Sequence, residues 1–185
     1  MIFNKKEMIL KDGQKVILRS PFEEEAKDLL NSIMTCVKES DYLLSVEEDF
    51  QKYVENIKLE ENFINSFKDN QNYLICAYVE NKIIGNCSLE FNIHQKDKHR
   101  AKVGIAIQKK YWNLGIGSIL FDIMIEIAKN KDGIEQIELD VVSQNARAKH
   151  LYMKKGFIKT GDIPHQLKLQ DGSYLDGELM VLFLK

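Results

Sequence analysis

Apolar residues recur along this chain with two periods, and the switches between them predict its elements. "QKVILRS" alternates as a strand does. "PFEEEAKDLLNSIMTCV" then sets Ala26, Leu29, Leu30, Ile33 and Val37 on one helical stripe, with Pro21 at a permitted first-turn position and acidic residues following it. A second helical pattern runs through Phe50, Tyr53, Val54, Ile57, Ile64 and Phe67 and exits at Asn70, Gln71 and Asn72. "NYLICAYVENKIIGNCSLEFNI" holds two β-rich runs around Glu80, Asn81 and Lys82, a hairpin pattern, and the polar "HQKDKH" leads into a further strand, "RAKVGIAI".

The stretch "YWNLGIGSILFDIMIEIAK" opens with aromatic and polar residues, passes two glycines and becomes a helix with a core-facing stripe of Ile116, Ile119, Leu120, Ile123, Met124 and Ile127. "NKDG" stops it. "IEQIELDVV" carries Ile137, Leu139 and Val141 at period two, and "SQNARAKHLYMKKGF" reads as a short helix, capped by Asn145 and closed by a left-handed Gly156. Its inward face is Ala148, Leu151, Tyr152 and Lys155. The tail "YLDGELMVLFLK" is apolar enough to be a strand covered on both faces. The order is strand, two helices, three strands, helix, strand, helix, two strands. With no repeat or linker, residues 1–185 read as a single domain of the α/β (α+β) class.

Composition narrows the choice of partners. A chain of 185 residues buries about 70% of its unfolded surface and supports a full core. With 26 Lys+Arg against 28 Asp+Glu the net charge is -2, so no global basic field points to nucleic acid or anionic lipid. No run approaches the ~20 apolar residues of a membrane span, and "MIFNKKEMILKDG" lacks a signal-peptide core. A soluble, cytoplasmic protein is expected. Cys36, Cys76 and Cys87 show neither CxxC spacing nor a nearby histidine pair, so no metal site is expected and they read as buried thiols in a reducing compartment. Cys76 and Cys87 fall on strands expected to pair.

Gly115 and Gly117 stand where a helix begins, and there the first backbone N–H groups lack intrahelical partners while the dipole adds positive charge. Glycines let backbone approach an anion without an intervening Cβ, so the stretch fits a phosphate cradle. A nucleotide-binding GxxxxGK[ST] is absent, and a dinucleotide GxGxxG fails at Leu120. "VGIAIQKKYWNLGIGSILFDIMIEIAK" resembles the acetyl-CoA motif of the GNAT superfamily of N-acetyltransferases, Arg/Gln-x-x-Gly-x-Gly/Ala between a strand and a helix. "NARAKHLYMKKGF" resembles its second motif, Asn-x-x-Ala-x-x-Leu-Tyr-x-x-x-Gly-Phe. The resemblance is strongest over 83–158 and extends more weakly from Val16 to the C-terminus. Trp112 departs from it, standing where Arg or Gln is usual; Lys109 and Lys110 offer positive charge nearby or are simply solvated.

The resemblance implies a mixed, mostly antiparallel sheet flanked by helices and acetyl transfer from acetyl-CoA, as co-substrate, to a primary amine of a small molecule or protein. It places the cofactor on the cradle residues Trp112, Asn113, Leu114, Gly115, Ile116, Gly117 and Ser118, on the strand-edge backbone of Ile105, Ala106 and Ile107, and on Asn145 and Tyr152. Tyr152 matches the tyrosine that donates a proton to the departing sulfur, with a buried structural tyrosine as the alternative; Asn145 is otherwise a plain helix cap. Glu90 is the candidate general base, reaching the amine through water, or else a solvent-facing glutamate; His99 is a weaker one. His94, His150 and His165 read as surface residues. A CoA-binding sensor without catalysis is the rival function, and the chain is compatible with a homodimer.

Overall fold

A computed structural model describes residues 1–184. Its elements are β1 (Lys6–Ile9), β2 (Lys15–Arg19), α1 (Ala26–Lys38), α2 (Gln51–Glu55), α3 (Lys58–Asp69), β3 (Tyr73–Val79), β4 (Lys82–Phe91), β5 (Arg100–Ile107), α4 (Ile116–Lys129), β6 (Gln136–Val142), α5 (Ala146–Lys154), β7 (Ile158–Lys168) and β8 (Tyr174–Phe183). The hydrogen-bonded strand order is β1-β2-β3-β4-β5-β6-β8-β7. Its pairings are antiparallel except for β5 with β6, which is parallel over Arg100↔Gln136, Ala101↔Ile137 and Lys102↔Glu138. This is the mixed, mostly antiparallel sheet that was expected. The backbone gathers into two compact units, Met1–Glu90 with Gly104–Leu120, and Phe91–Val103 with the chain from Phe121 onward.

In the first unit, Ala26 and Leu29 of α1, Ile64 and Phe67 of α3, Leu74, Cys76 and Tyr78 of β3 and Ile83 of β4 form one buried cluster. The β3–β4 connection is the expected hairpin: Glu80 (φ 49°) and Asn81 (φ 62°) are both left-handed, as a two-residue type I′ turn requires. Cys76 pairs with Asn86 and Cys87 with Ile75, so the two thiols leave opposite faces of adjacent strands; all three cysteines are free and buried.

Three expectations change here. Pro21 is not in the first turn of α1, because a 3-10 turn over Glu23–Glu25 intervenes and the helix starts at Ala26. Glu25 holds that turn: its carboxylate accepts from Arg19 at 2.7 and 2.6 Å, from the Phe22 amide at 2.8 Å and from the Tyr78 hydroxyl at 3.1 Å. The second helical pattern is two helices, because Asn56 (φ -139°, ψ 87°) breaks the backbone between α2 and α3. Finally, β1 precedes the strand expected first. It pairs antiparallel with β2 but is mostly exposed, so Lys6 and Glu7 show no apolar alternation to read.

In the second unit β8 pairs with both β6 and β7. Met180 and Val181 are buried, yet Phe183 is 55% exposed, so β8 is covered on both faces only at its middle and not through its end as expected. Phe183 pairs with Gln136 on β6, whereas the β7 register ends at Ile158↔Val181. The last residue of the expected tail strand, Lys185, lies outside the described residues. Phe121 of α4, Tyr152 of α5 and Phe157 form an aromatic core, with Phe121 and Phe157 edge to face at 5.8 Å. Gly156 takes φ 91° and closes α5 as expected.

Candidate active site

The link from β5 to α4 is built from short, directed contacts. The indole N–H of Trp112 donates to the Ile107 carbonyl at 2.6 Å, folding the link back on the strand it leaves. The Gln108 amide donates to the Ser32 hydroxyl and the Ile83 carbonyl, both at 3.2 Å, and the Lys109 backbone N–H donates to the Glu39 carboxylate at 2.5 Å. The β5 end of the turn is therefore fixed to its surroundings. Lys109 and Lys110 are exposed, and the Lys110 ammonium lies 5.3 Å from the centre of the Tyr111 ring.

Two residues of this turn are left-handed, Asn113 at φ 63° and Gly115 at φ 99°. A Cβ built on Gly115 meets nothing within 4 Å, so the glycine is required by its backbone conformation, and the space above it is open. The bond from Ile119 N–H to the Gly115 carbonyl, at 3.2 Å, starts the helical ladder. The amides of Ile116, Gly117 and Ser118 stand in the first turn of this 14-residue helix, where no intrahelical acceptor reaches them. Open space above Gly115 beside first-turn amides suits a doubly charged diphosphate such as that of coenzyme A.

The β5 backbone divides the strand-edge candidates. Gln108 N–H donates to the Ile84 carbonyl at 3.0 Å, so in this antiparallel pair every second residue turns its polar groups toward β4. Ala106 is one of these: its carbonyl lies 2.8 Å from where a Gly85 Cβ would be. Ile105 and Ile107 turn theirs to the opposite edge, and the Ile107 carbonyl is already engaged by Trp112. That edge can therefore offer a ligand the Ile105 amide and carbonyl and the Ile107 amide.

In the second unit Asn145 caps α5 by accepting from the Ala148 N–H at 3.2 Å. Tyr152 is 7% exposed, its ring centre 5.1 Å from that of Phe121 and 6.1 Å from that of Phe157. Its ring is part of the core. Glu90 is exposed near the end of β4. Two half-buried residues, Asn86 and Ser88, share its strand face and were missed from sequence, although the alternation in "NCSLEF" marks that face as only partly covered. His94, His150 and His165 are exposed.

The model of the GNAT acetyltransferase family matches residues 39–157, which include the turn, β5 and α5. This chain belongs to the GNAT family. Among curated relatives it is similar to the L-amino acid N-acetyltransferase AaaT of Escherichia coli, 29% identical over 106 residues. That alignment covers 57% of this chain and 65% of the relative, so the chain spans just under two thirds of it. The GNAT fold recurs in a GNAT-family acetyltransferase of Streptococcus pneumoniae, with TM-score 0.81 and 27% identity over 91% of this chain and 99% of that one. It recurs also in yncA of Salmonella typhimurium, whose structure contains its cofactor acetyl-CoA; there the TM-score is 0.77 at 15% identity, over 92% and 94% of the two chains.

Proposed function

We propose that this chain is an acetyl-CoA-dependent N-acetyltransferase acting on a primary amine of a small molecule or a protein, with residues 1–185 working as one catalytic domain. The observation that carries the reading is the turn from Asn113 to Ser118, left-handed at two positions, open above Gly115 and continuous with first-turn amides of α4. Three free, buried cysteines fit a cytoplasmic, reducing setting, and no described helix is long and apolar enough to cross a membrane.

When bound, acetyl-CoA supplies a thioester carbonyl open to attack by an amine. The residues of the turn hold the diphosphate through backbone N–H groups, which keep their charge pattern at any pH. Ile105 and Ile107 pair with the amides of the pantetheine arm and hold it extended. An amine of ordinary pKa is largely protonated at neutral pH and must lose a proton before it attacks. Glu90 receives that proton through water. As the C–N bond forms and the C–S bond breaks, the sulfur takes the proton of the Tyr152 hydroxyl, and the second proton released by the nitrogen passes through water to restore that phenol. The products are an N-acetyl amide and free CoA.

Thiol release from acetyl-CoA, measured against a panel of amines, tests the proposal. Amine-dependent release supports it. Saturable acetyl-CoA binding without release on any amine would replace it with the sensor reading.

A further inference from the structure

Helix α1 ends in a residue that its own electrostatics disfavours. The last turn of a helix gathers negative partial charge, which suits Lys38, paired with Glu47 at 2.8 Å. Glu39 follows as the C-cap and sets a carboxylate at that same negative end. The carboxylate accepts from the backbone N–H of Lys109 at 2.5 Å, 70 residues along the chain. A break with local helix chemistry that is answered by a bond to a distant turn directs attention to that turn.

Ser32, Cys36 and Glu39 are spaced i, i+4, i+7 and share one stripe of α1. Ser32 and Cys36 are buried, and the Ser32 hydroxyl accepts from the Gln108 side chain at 3.2 Å. The stripe thus meets two successive residues of the β5–α4 link. Lys109 opens a 3-10 turn over Lys109–Tyr111, and both of its backbone polar groups are engaged. Its N–H goes to Glu39, and its carbonyl accepts from the Trp112 N–H at 3.1 Å. Trp112 is folded onto the Ile107 carbonyl, and the left-handed Asn113 comes next. At the α4 end the Leu114 carbonyl accepts from the Lys11 N–H at 3.5 Å, a long bond. The path of the chain into Gly115 is therefore set mainly from the Lys109 side.

Resting on the acetyl-transfer reading, we infer that Glu39 is a positioning residue for the cofactor: by holding the Lys109 peptide it fixes the course of the chain from Trp112 to Gly115, and with it the aim of the first-turn amides of α4 at the diphosphate. A carboxylate on this link also repels a phosphate, so the arrangement helps only where position outweighs charge. Solvent and salt screen the repulsion between partly exposed charges, whereas a carboxylate bound to a backbone N–H is stronger than a neutral acceptor. Acetyl-CoA and CoA carry the same diphosphate. Glu39 therefore contributes equally to binding both, and adds nothing to the acetyl-transfer step itself.

Calorimetric titration with acetyl-CoA and with CoA, together with steady-state kinetics, compares wild type with Glu39→Ala and Glu39→Gln. Glu39→Ala should weaken both ligands about tenfold and raise KM for acetyl-CoA by a similar factor, with kcat not lowered. The melting temperature of the free variant should stay within about 3 °C of wild type, because the lost bond and the relieved helix end act in opposite directions. Glutamine keeps an acceptor oxygen and should recover most of the affinity. Equal or tighter binding by Glu39→Ala would overturn the inference, tighter binding marking the carboxylate as a repelling charge. So would an affinity loss that tracks a fall in melting temperature, or a glutamine variant no better than alanine. Each of these results leaves wild-type binding and acetyl transfer intact. A wild type that does not bind acetyl-CoA would remove the acetyl-transfer reading and the inference together.

Discussion

Replacing Glu60 by glutamine should stabilise the protein above neutral pH and leave it almost unchanged in acid. Glu60 lies in the first turn of α3, is 3% exposed, and its Oε1 has no hydrogen-bond partner. Helix-start position favours the ionised form, yet burial dominates and pushes the carboxyl up from 4.5 to about 7. The neutral form is therefore preferred in the folded chain. Between pH 4.5 and 7 the unfolded state has lost this proton while the folded state keeps it, so stability falls as pH rises through that window and stays low above it. At 1.36 kcal/mol per pH unit the loss amounts to at most about 3 kcal/mol. The glutamine side chain carries no titrating proton. Urea unfolding of both proteins at about pH 4.5 and about pH 8.5 isolates the effect, because every other titrating group is common to the two. The variant should match wild type within about 1 kcal/mol in acid and exceed it by about 2–3 kcal/mol at the higher pH. Parallel pH profiles would refute the reasoning, and so would a variant less stable than wild type in alkali.

Three further substitutions probe the site. Trp112→Phe keeps most of the ring but removes the 2.6 Å bond to the Ile107 carbonyl; it should cost about 1–2 kcal/mol in urea unfolding with a smaller change in acetyl-CoA affinity. Gly85→Ala places a Cβ 2.8 Å from the Ala106 carbonyl oxygen and 3.0 Å from the Ile107 Cα. Forcing β4 and β5 apart should lower stability by about 1–3 kcal/mol and weaken acetyl-CoA binding in calorimetry. Tyr152→Phe should leave melting temperature and acetyl-CoA affinity nearly unchanged while lowering kcat about 100-fold; single-turnover rates equal to wild type would make the tyrosine purely structural.

Elements with a strong period were legible in the sequence. "RAKVGIAI" is β5 to the residue, and the hairpin at Glu80 and Asn81 and the closing Gly156 of α5 lie where turn chemistry put them. Elements defined by tertiary contacts were not. β1 buries too little to show a pattern, and the late start of α1 depends on Glu25 collecting bonds from Arg19, Phe22 and Tyr78, the last of them 53 residues away. Around the site, the glycine turn was visible because its backbone conformation demands particular residues. The different orientation of Ala106 from Ile105 and Ile107 depends on which strand β5 pairs with, which no local pattern states.

The central claim is that backbone N–H groups at the start of α4 hold the diphosphate of acetyl-CoA, and Gly117→Asp tests it most directly. An aspartate in the first turn of a helix favours the dipole, so the substitution should leave the melting temperature of the free protein unchanged or slightly raised. The same carboxylate repels a diphosphate brought to those amides. Calorimetric titration with acetyl-CoA should show saturable binding to wild type and a loss of about 100-fold or more in the folded variant. Equal affinity in the two proteins would contradict the account.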